Sequence, residues 1–244
     1  MKGRLFLLPA TLGGDRPEDV IPPAVFGYVA HVRHFAVEEL RSARRFLSSV
    51  GFRGMMDSLE FYPVNEHSSR EDIESAFSVL LSGHDMALVS EAGLPAVADP
   101  GAALVGLAHA HGVEVVPFSG PSSLMMALMS SGMNGQRFSF HGYVPVNSAR
   151  RKEKIRDMET VSARLGETEI FIETPYRNDS LLKDILDTCR PGTMLCVAAG
   201  LTLPEQFIRT KSIEAWRKEG ILIGRRPCVF LLQARNVQTE RYDR

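Results

Sequence analysis

The chain has 244 residues, 44% of them apolar and 23% charged, with a formal net charge of −1. That length supplies a core for one large or two small domains, and the near-zero charge argues against any whole-molecule attraction to polyanions, leaving that role to local basic clusters. Three cysteines without a CxxC spacing (Cys189, Cys196 and Cys228) argue against a disulfide scaffold or zinc ribbon and fit a reducing cytoplasm.

Lys2 and Arg4 precede only a short apolar stretch, Leu5 to Leu8, which is too brief for a secretory h-region. No apolar run approaches the length of a membrane span. A cytoplasmic protein with no membrane attachment is therefore expected.

In chain order, RLFLL (4–8) reads as a buried strand. HFAVE (34–38) reads as a second, followed by a helix to about Val50 that stops at Gly51. Ser68 and Glu71 have capping-box spacing, and Ile73, Phe77, Leu80 and Leu81 then give a helical stripe ending at Gly83. MALVS (86–90) is a third strand, a helix fits 101–111 with Gly112 as its stop, and VEVVPF (113–118) is a fourth strand. This alternation predicts a mainly parallel sheet with helices on its faces.

A helix containing LMMALM (124–129) follows Pro121, with Met125, Met126 and Met129 read as core filling. FSF (138–140) is a short strand, and a charged helix covers about 148–164. TEIFIET (168–174), MLCVAAG (194–200), EQFIRT (205–210) and PCVFLLQ (227–233) are strands, and Ser212 caps a short helix containing Trp216. Strands here follow one another more often, which predicts a mixed sheet. The expected fold is two α/β domains, 1–117 with a mainly parallel sheet and 118–236 with a mixed one. A tail without ordered structure is expected at 237–244.

Three loops leave the carboxyl ends of predicted strands, where open α/β sheets bind ligands. They are PATLGG (9–14), SEAGLPAVADPG (90–101) and FSGPSS (118–123). Glycine lets a backbone approach a ligand closely, and proline fixes the direction of the chain. The last two loops lead into helices, whose first N–H groups are unpaired. Any one of them reads equally well as an ordinary βα turn; three together describe a binding cleft. Asp99-Pro100-Gly101 reads as shaping its turn and capping the next helix. No GxGxxG, GxxxxGK[ST] or GxSxG is present at these loops. His109 and His111 do not share a helix face, so no metal is expected.

PATLGG, AVEELR (36–41), SEAGLPAVADPG, SGPSS (119–123), RFSFHGYVP (137–145) and FIETPYR (171–177) occur in an ordered series. The series resembles the tetrapyrrole-methylase-type superfamily of S-adenosylmethionine-dependent methyltransferases. Within it, the chain is most similar to the bacterial family that methylates a cytidine ribose 2′-hydroxyl in small-subunit ribosomal RNA. The resemblance covers roughly residues 4–235. It implies S-adenosyl-L-methionine as cofactor in a cleft between the two domains, RNA of the small ribosomal subunit as partner, and a homodimer.

Carried onto this sequence, the resemblance puts Leu8 and Pro9 at the cofactor end of the first strand. Glu91, Ala92, Gly93, Val97 and Ala98 line one wall, and Ser122 and Ser123 lie near the methionine part or ribose. Ile172, Leu201 and Pro227 surround the adenine. A ribose hydroxyl is a poor nucleophile at neutral pH, so a base or polarising group would help it. Glu38, Glu39, Glu91 and Glu173 occupy acidic motif positions. Against that role, Glu38 and Glu39 also read as helix-start charges, and Glu173 as an ion pair with Arg177. Basic clusters at Arg41, Arg44 and Arg45, at 150–156 and at Arg225–Arg226 read as phosphate contacts or as solvated faces. At AGLTL (199–203), PVNEH (63–67), Ile172 and Tyr176 the sequence departs from the family pattern on the acceptor side. The acceptor is therefore open among a ribosomal ribose, a tetrapyrrole-type small molecule, and none at all in a non-catalytic relative.

Overall fold

Leu5, Phe6 and Leu8 are each no more than 2% exposed, as a central strand covered on both faces requires. They lie in β1 (Leu5–Leu8). The computed structural model describes residues 1–234, so the tail expected at 237–244 lies outside the described residues. The chain divides into two compact units, Met1–Ser122 and a second beginning at Ser123.

The first unit holds β1, β2 (His34–Val37), β3 (Glu60–Pro63), β4 (Met86–Val89) and β5 (Val115–Pro117). They form one sheet in the order β3-β2-β4-β1-β5, parallel throughout. Alternate residues face opposite sides. Phe6, Leu8, Phe35 and Val37 join Phe52 in one core, while Leu5, Ala36, Met86 and Leu88 join Leu104 in the other. The covering helices are α1 (Ala24–Val29), α2 (Leu40–Leu47), α3 (Arg70–Leu81) and α4 (Ala102–Ala110).

Two boundaries differ from the sequence expectation. The capping box of α3 is Ser69 with Asp72, one residue beyond the expected pair; the Ser68 hydroxyl instead accepts from the Asn65 N–H at 2.9 Å. Helix α2 ends at Leu47 rather than near Val50, because Val50 and Gly51 leave helical backbone, Gly51 at φ +106°, and the chain continues in a wide turn over 48–52 and a 3₁₀ turn over 53–58.

The second unit holds β6 (Phe138–Tyr143), β7 (Thr168–Ile172), β8 (Met194–Ala199), β9 (Phe207–Ser212) and β10 (Cys228–Gln233), in the order β6-β7-β10-β8-β9. The β6–β7 pair is parallel and the others antiparallel, so this sheet is mixed. Around it lie α5 (Ser123–Ser131), α6 (Ser148–Leu165), α7 (Asn178–Thr188) and α8 (Ile213–Glu219). Ser212 caps α8 by accepting from the Ala215 N–H. The Trp216 indole donates to the Leu195 carbonyl at 2.9 Å, and the Phe171 and Phe230 rings stack at 5.8 Å. On α5 the expected core methionines are in part outside: Leu124, Ala127 and Leu128 are buried, while Met125 and Met129 are exposed.

Candidate cofactor-binding site

The topology of the first sheet selects one place on it. The chain leaves β2 for β3 on one side, and leaves β4 for β5 on the other. β2 and β4 are neighbours, so their connections diverge and open a crevice beyond their carboxyl ends. All three Gly- and Pro-rich loops meet beside it, beyond the carboxyl ends of β4, β1 and β5. The Ala10 N–H donates to the Gly93 carbonyl at 2.9 Å. Gly120 lies directly on Pro9: a Cβ at Gly120 would stand 2.2 Å from the proline Cβ. Gly93 has φ +77°, and a Cβ there would meet the Leu12 side chain at 3.2 Å and the Pro121 carbonyl at 3.3 Å.

The 90–101 loop is held from within. The Ser90 hydroxyl donates to the Gly93 carbonyl at 3.3 Å, and Asp99 Oδ1 accepts from the N–H groups of Ala96 and Gly101 at 3.1 and 2.7 Å. Ala96 and Ala98 have φ of +64° and +56°. Left-handed backbone at a residue with a Cβ costs about 1–3 kcal/mol and persists only where surrounding bonds enforce it. Asp99 thus shapes the turn as expected, but the helix cap expected of the same segment is not made by a side chain: α4 starts at Gly101 without one. Glu91, Ala92, Val97 and Ala98 are exposed, whereas Leu8, Pro9 and Gly93 are buried beneath them. Ser122 and Ser123, at the end of the third loop, are half-buried.

The acidic candidates fall into different surroundings. Glu38 follows β2, and its Oε2 accepts the Glu91 N–H at 3.1 Å, which ties the ends of β2 and β4 together. Burial is the main reason its carboxyl sits above the usual Glu range, outweighing the stabilising Glu91 N–H. The neighbouring Asp99 and Glu91 carboxylates push the same way. Glu39 is the N-cap of α2 and accepts from the N–H groups of Arg41 and Ser42 at 3.0 and 2.7 Å, which hold it below the usual range. Glu173 follows β7, is buried, and pairs with the Arg177 guanidinium at 2.6 Å. The helix-start reading therefore describes Glu39 and the ion-pair reading describes Glu173, while Glu38 alone reaches the loop.

In the second unit Ile172, Leu201 and Pro227 come to one end of the mixed sheet. Ile172 pairs with Val229, Cys228 pairs with Ala199, and the Gly200 N–H donates to the Pro227 carbonyl at 2.9 Å. Leu201 is buried there and Pro227 exposed. Of the basic clusters, Arg44, Arg45, Arg150 and Arg225 are exposed. Arg151 is only 3% exposed and pairs with Asp184 at 2.5 Å, so it takes no part in any surface. Sequence reading missed the Gly120–Pro9 packing, for which the glycine in SGPSS was the available signal. Among the described residues no group of three or more His, Cys, Asp or Glu side chains is arranged to hold a metal.

Residues 24–215 match the family described as Tetrapyrrole (Corrin/Porphyrin) Methylases. The chain belongs to this family. Similar curated members are named Ribosomal RNA small subunit methyltransferase I. The protein of that name from Vibrio cholerae is 32% identical over 200 residues, covering 81% of this chain and 65% of the relative. The one from Escherichia coli O157:H7 is 26% identical over 242 residues, covering 98% of this chain and 80% of the relative. The chain thus spans just under two thirds of the Vibrio protein's length. Two solved structures share the fold. The methyltransferase CobJ has TM-score 0.63 at 18% identity, covering 95% of this chain and 94% of its own. Uroporphyrin-III C-methyl transferase from Thermus thermophilus, complexed with S-adenyl homocysteine, has TM-score 0.55 at 16% identity, covering 95% and 97%.

Proposed function

We propose that this protein transfers a methyl group from S-adenosyl-L-methionine to a ribose 2′-hydroxyl of small-subunit ribosomal RNA, as a cytoplasmic homodimer. The observation that carries the reading is the meeting of the 9–14, 90–101 and 118–123 loops beyond the carboxyl ends of β1, β4 and β5. The names of the relatives favour ribosomal RNA over a macrocycle as acceptor, since the two solved structures are too distant in sequence to speak for more than the fold.

The residues at the crevice suit such a cofactor. Main chain and small side chains are exposed at Ala92 and Ala98, and Glu38, Glu91 and Asp99 give this end of the sheet an anionic character that favours a cationic sulfonium. When bound, the cofactor supplies an electrophilic methyl group. Glu91, Ala92, Gly93, Val97 and Ala98 would hold it from the loop, with Leu8 and Pro9 as the floor and the Ser122 and Ser123 hydroxyls beside it. Ile172, Leu201 and Pro227 would receive the adenine. Fixing the acceptor oxygen in line supplies much of the rate. Of the acids, Glu38 is suited to accept the hydroxyl proton, because Glu39 and Glu173 are committed to a helix cap and an ion pair.

The test is methylation with cofactor labelled on the methyl group, offered small ribosomal subunits, free RNA and uroporphyrinogen in parallel. Label in the subunit RNA that survives alkaline hydrolysis in resistant dinucleotides is the expected result, and label found only in mononucleotides would move the acceptor atom off the ribose 2′-oxygen. Label only in the macrocycle would defeat the RNA reading, and no calorimetric response to S-adenosylhomocysteine would defeat the cofactor reading.

A further inference from the structure

Two tyrosines stand out of the second unit where β6 and β7 end. Tyr143 is 62% exposed and Tyr176 67% exposed. Tyr143 is the last residue of β6 and lies opposite Ile172, beyond a slip in register after Phe140 that separates it from the regular ladder. Glu173 follows Ile172 directly, and its ion-pair partner Arg177 sits one residue after Tyr176. All of these groups therefore share one end of one strand pair.

Exposed tyrosines usually keep rotamer freedom, which a ligand must then remove. At Tyr176 a neighbouring guanidinium restricts it. The Arg177 guanidinium donates to its hydroxyl oxygen at 3.0 Å and lies over its ring, 5.0 Å from the centroid. Arg177 is in turn fixed by the buried Glu173, which accepts from it at 2.6 Å and also takes the Thr174 N–H at 2.7 Å. An apolar face is thus held rigid in water by a chain of bonds that starts in the core. The same place also carries a cation. Asn178, fully buried, donates to the carbonyls of Gly224 and Arg226 at 3.2 and 2.7 Å. That pins the turn bearing the exposed Arg225 next to the residue that follows Arg177.

We propose that Tyr143 and Tyr176, with Arg177 as the brace and Arg225 as a phosphate contact, form a stacking platform for an unpaired base of the RNA acceptor. The inference rests on the RNA reading above and adds how the acceptor strand is gripped. Every base has a π-face, so aromatic side chains backed by guanidinium groups hold single strands without reading their sequence. A macrocycle fringed with carboxylates fits less well, because the charge of Arg177 is already met by Glu173.

The experiment measures binding of the 244-residue chain to a fluorescein-labelled single-stranded RNA oligonucleotide across a range of salt concentrations. Tyr143→Ala and Tyr176→Ala should each weaken binding about five- to a hundredfold while leaving the salt slope unchanged. Tyr176→Trp should restore it, and Arg225→Ala should lower the slope by about one. Binding of S-adenosylhomocysteine, measured by calorimetry on the same variants, should stay at the wild-type level and shows that each is folded. Wild-type RNA affinity in both alanine variants overturns the platform and leaves the RNA reading standing. No RNA binding by the wild-type protein overturns both, and tyrosine-dependent binding of uroporphyrin instead of RNA replaces the occupant.

Discussion

Glu38 shows how one carboxyl differs from its neighbour. Its folded pKa lies above the ordinary value, so the folded state binds the proton more tightly than the unfolded chain does. The sign follows by linkage: the charged form costs stability above the folded pKa, and the cost vanishes once pH falls below the ordinary value of 4.5. Glu38→Gln keeps an acceptor for the Glu91 N–H and removes the charge. Chemical denaturation across pH should find it more stable than wild type at neutral pH and equal to it in acid, and the methylation assay should find it slow if Glu38 takes the proton. Gly120 is decided by space. A methyl group there would stand against the Pro9 ring, which cannot turn away, so Gly120→Ala should cost about 1–3 kcal/mol. It should also weaken S-adenosylhomocysteine binding in calorimetry; full affinity would show that the loop contact does not support the site.

At the scale of elements, the two ends of the parallel sheet have different duties. Opposite the loops, Asp85 just before β4 accepts from the Arg4 N–H at 2.7 Å and pairs with the Arg4 guanidinium and His31, each at 2.8 Å. Burial alone would raise its pKa; the bonds from Arg4 and His31 outweigh that and bring it down to about 2. The contribution is therefore present above the ordinary 3.8 and is lost as pH falls toward 2. Asp85→Asn should cost about 1–2 kcal/mol at neutral pH, with ligand binding untouched. In the second unit, helices α6 and α7 are joined by the buried Arg151–Asp184 pair, to which the Ser148 hydroxyl also donates. Arg151→Ala leaves the buried Asp184 carboxylate only Lys152, whose Nζ stands 3.3 Å away, and should cost about 3 kcal/mol, the low end for breaking a buried pair, in a denaturant titration. The adjacent, exposed Arg150→Ala should stay within about 0.5 kcal/mol.

Over the whole molecule a net charge of −1 gives no general pull on RNA, so binding must come from local cations. The exposed Arg44 and Arg45 on α2 follow the strand that carries Glu38. If they meet phosphates, replacing both with alanine should reduce the salt slope of RNA binding by about two, roughly one per contact; an unchanged slope would make them a solvated face. No helix among the described residues is long and apolar enough to cross a membrane.

Much of this architecture was legible in the chain. Strands β1, β4, β8 and β10 are apolar runs bounded by turn residues, and that pattern survives any tertiary context because a fully covered strand must be apolar throughout. The three loops were legible for a related reason, since glycine and proline state a backbone requirement wherever they stand. Less was visible where local signals were weak or shared. Strand β3 is a half-exposed edge with no apolar run, α1 is six residues long, and adjacent serines made either one a plausible cap for α3. The sequence by itself determined the alternation of elements, the parallel character of the first sheet and the identity of the loops, because these follow from local periodicity and backbone freedom. Only the tertiary structure decided what the charged side chains do: that Arg151 is buried, that Glu39 is a cap, and that Glu38 reaches across two strands to Glu91. A charge has no fixed partner until the fold brings one within a few ångströms, so its role is a property of distance in space rather than of spacing along the chain.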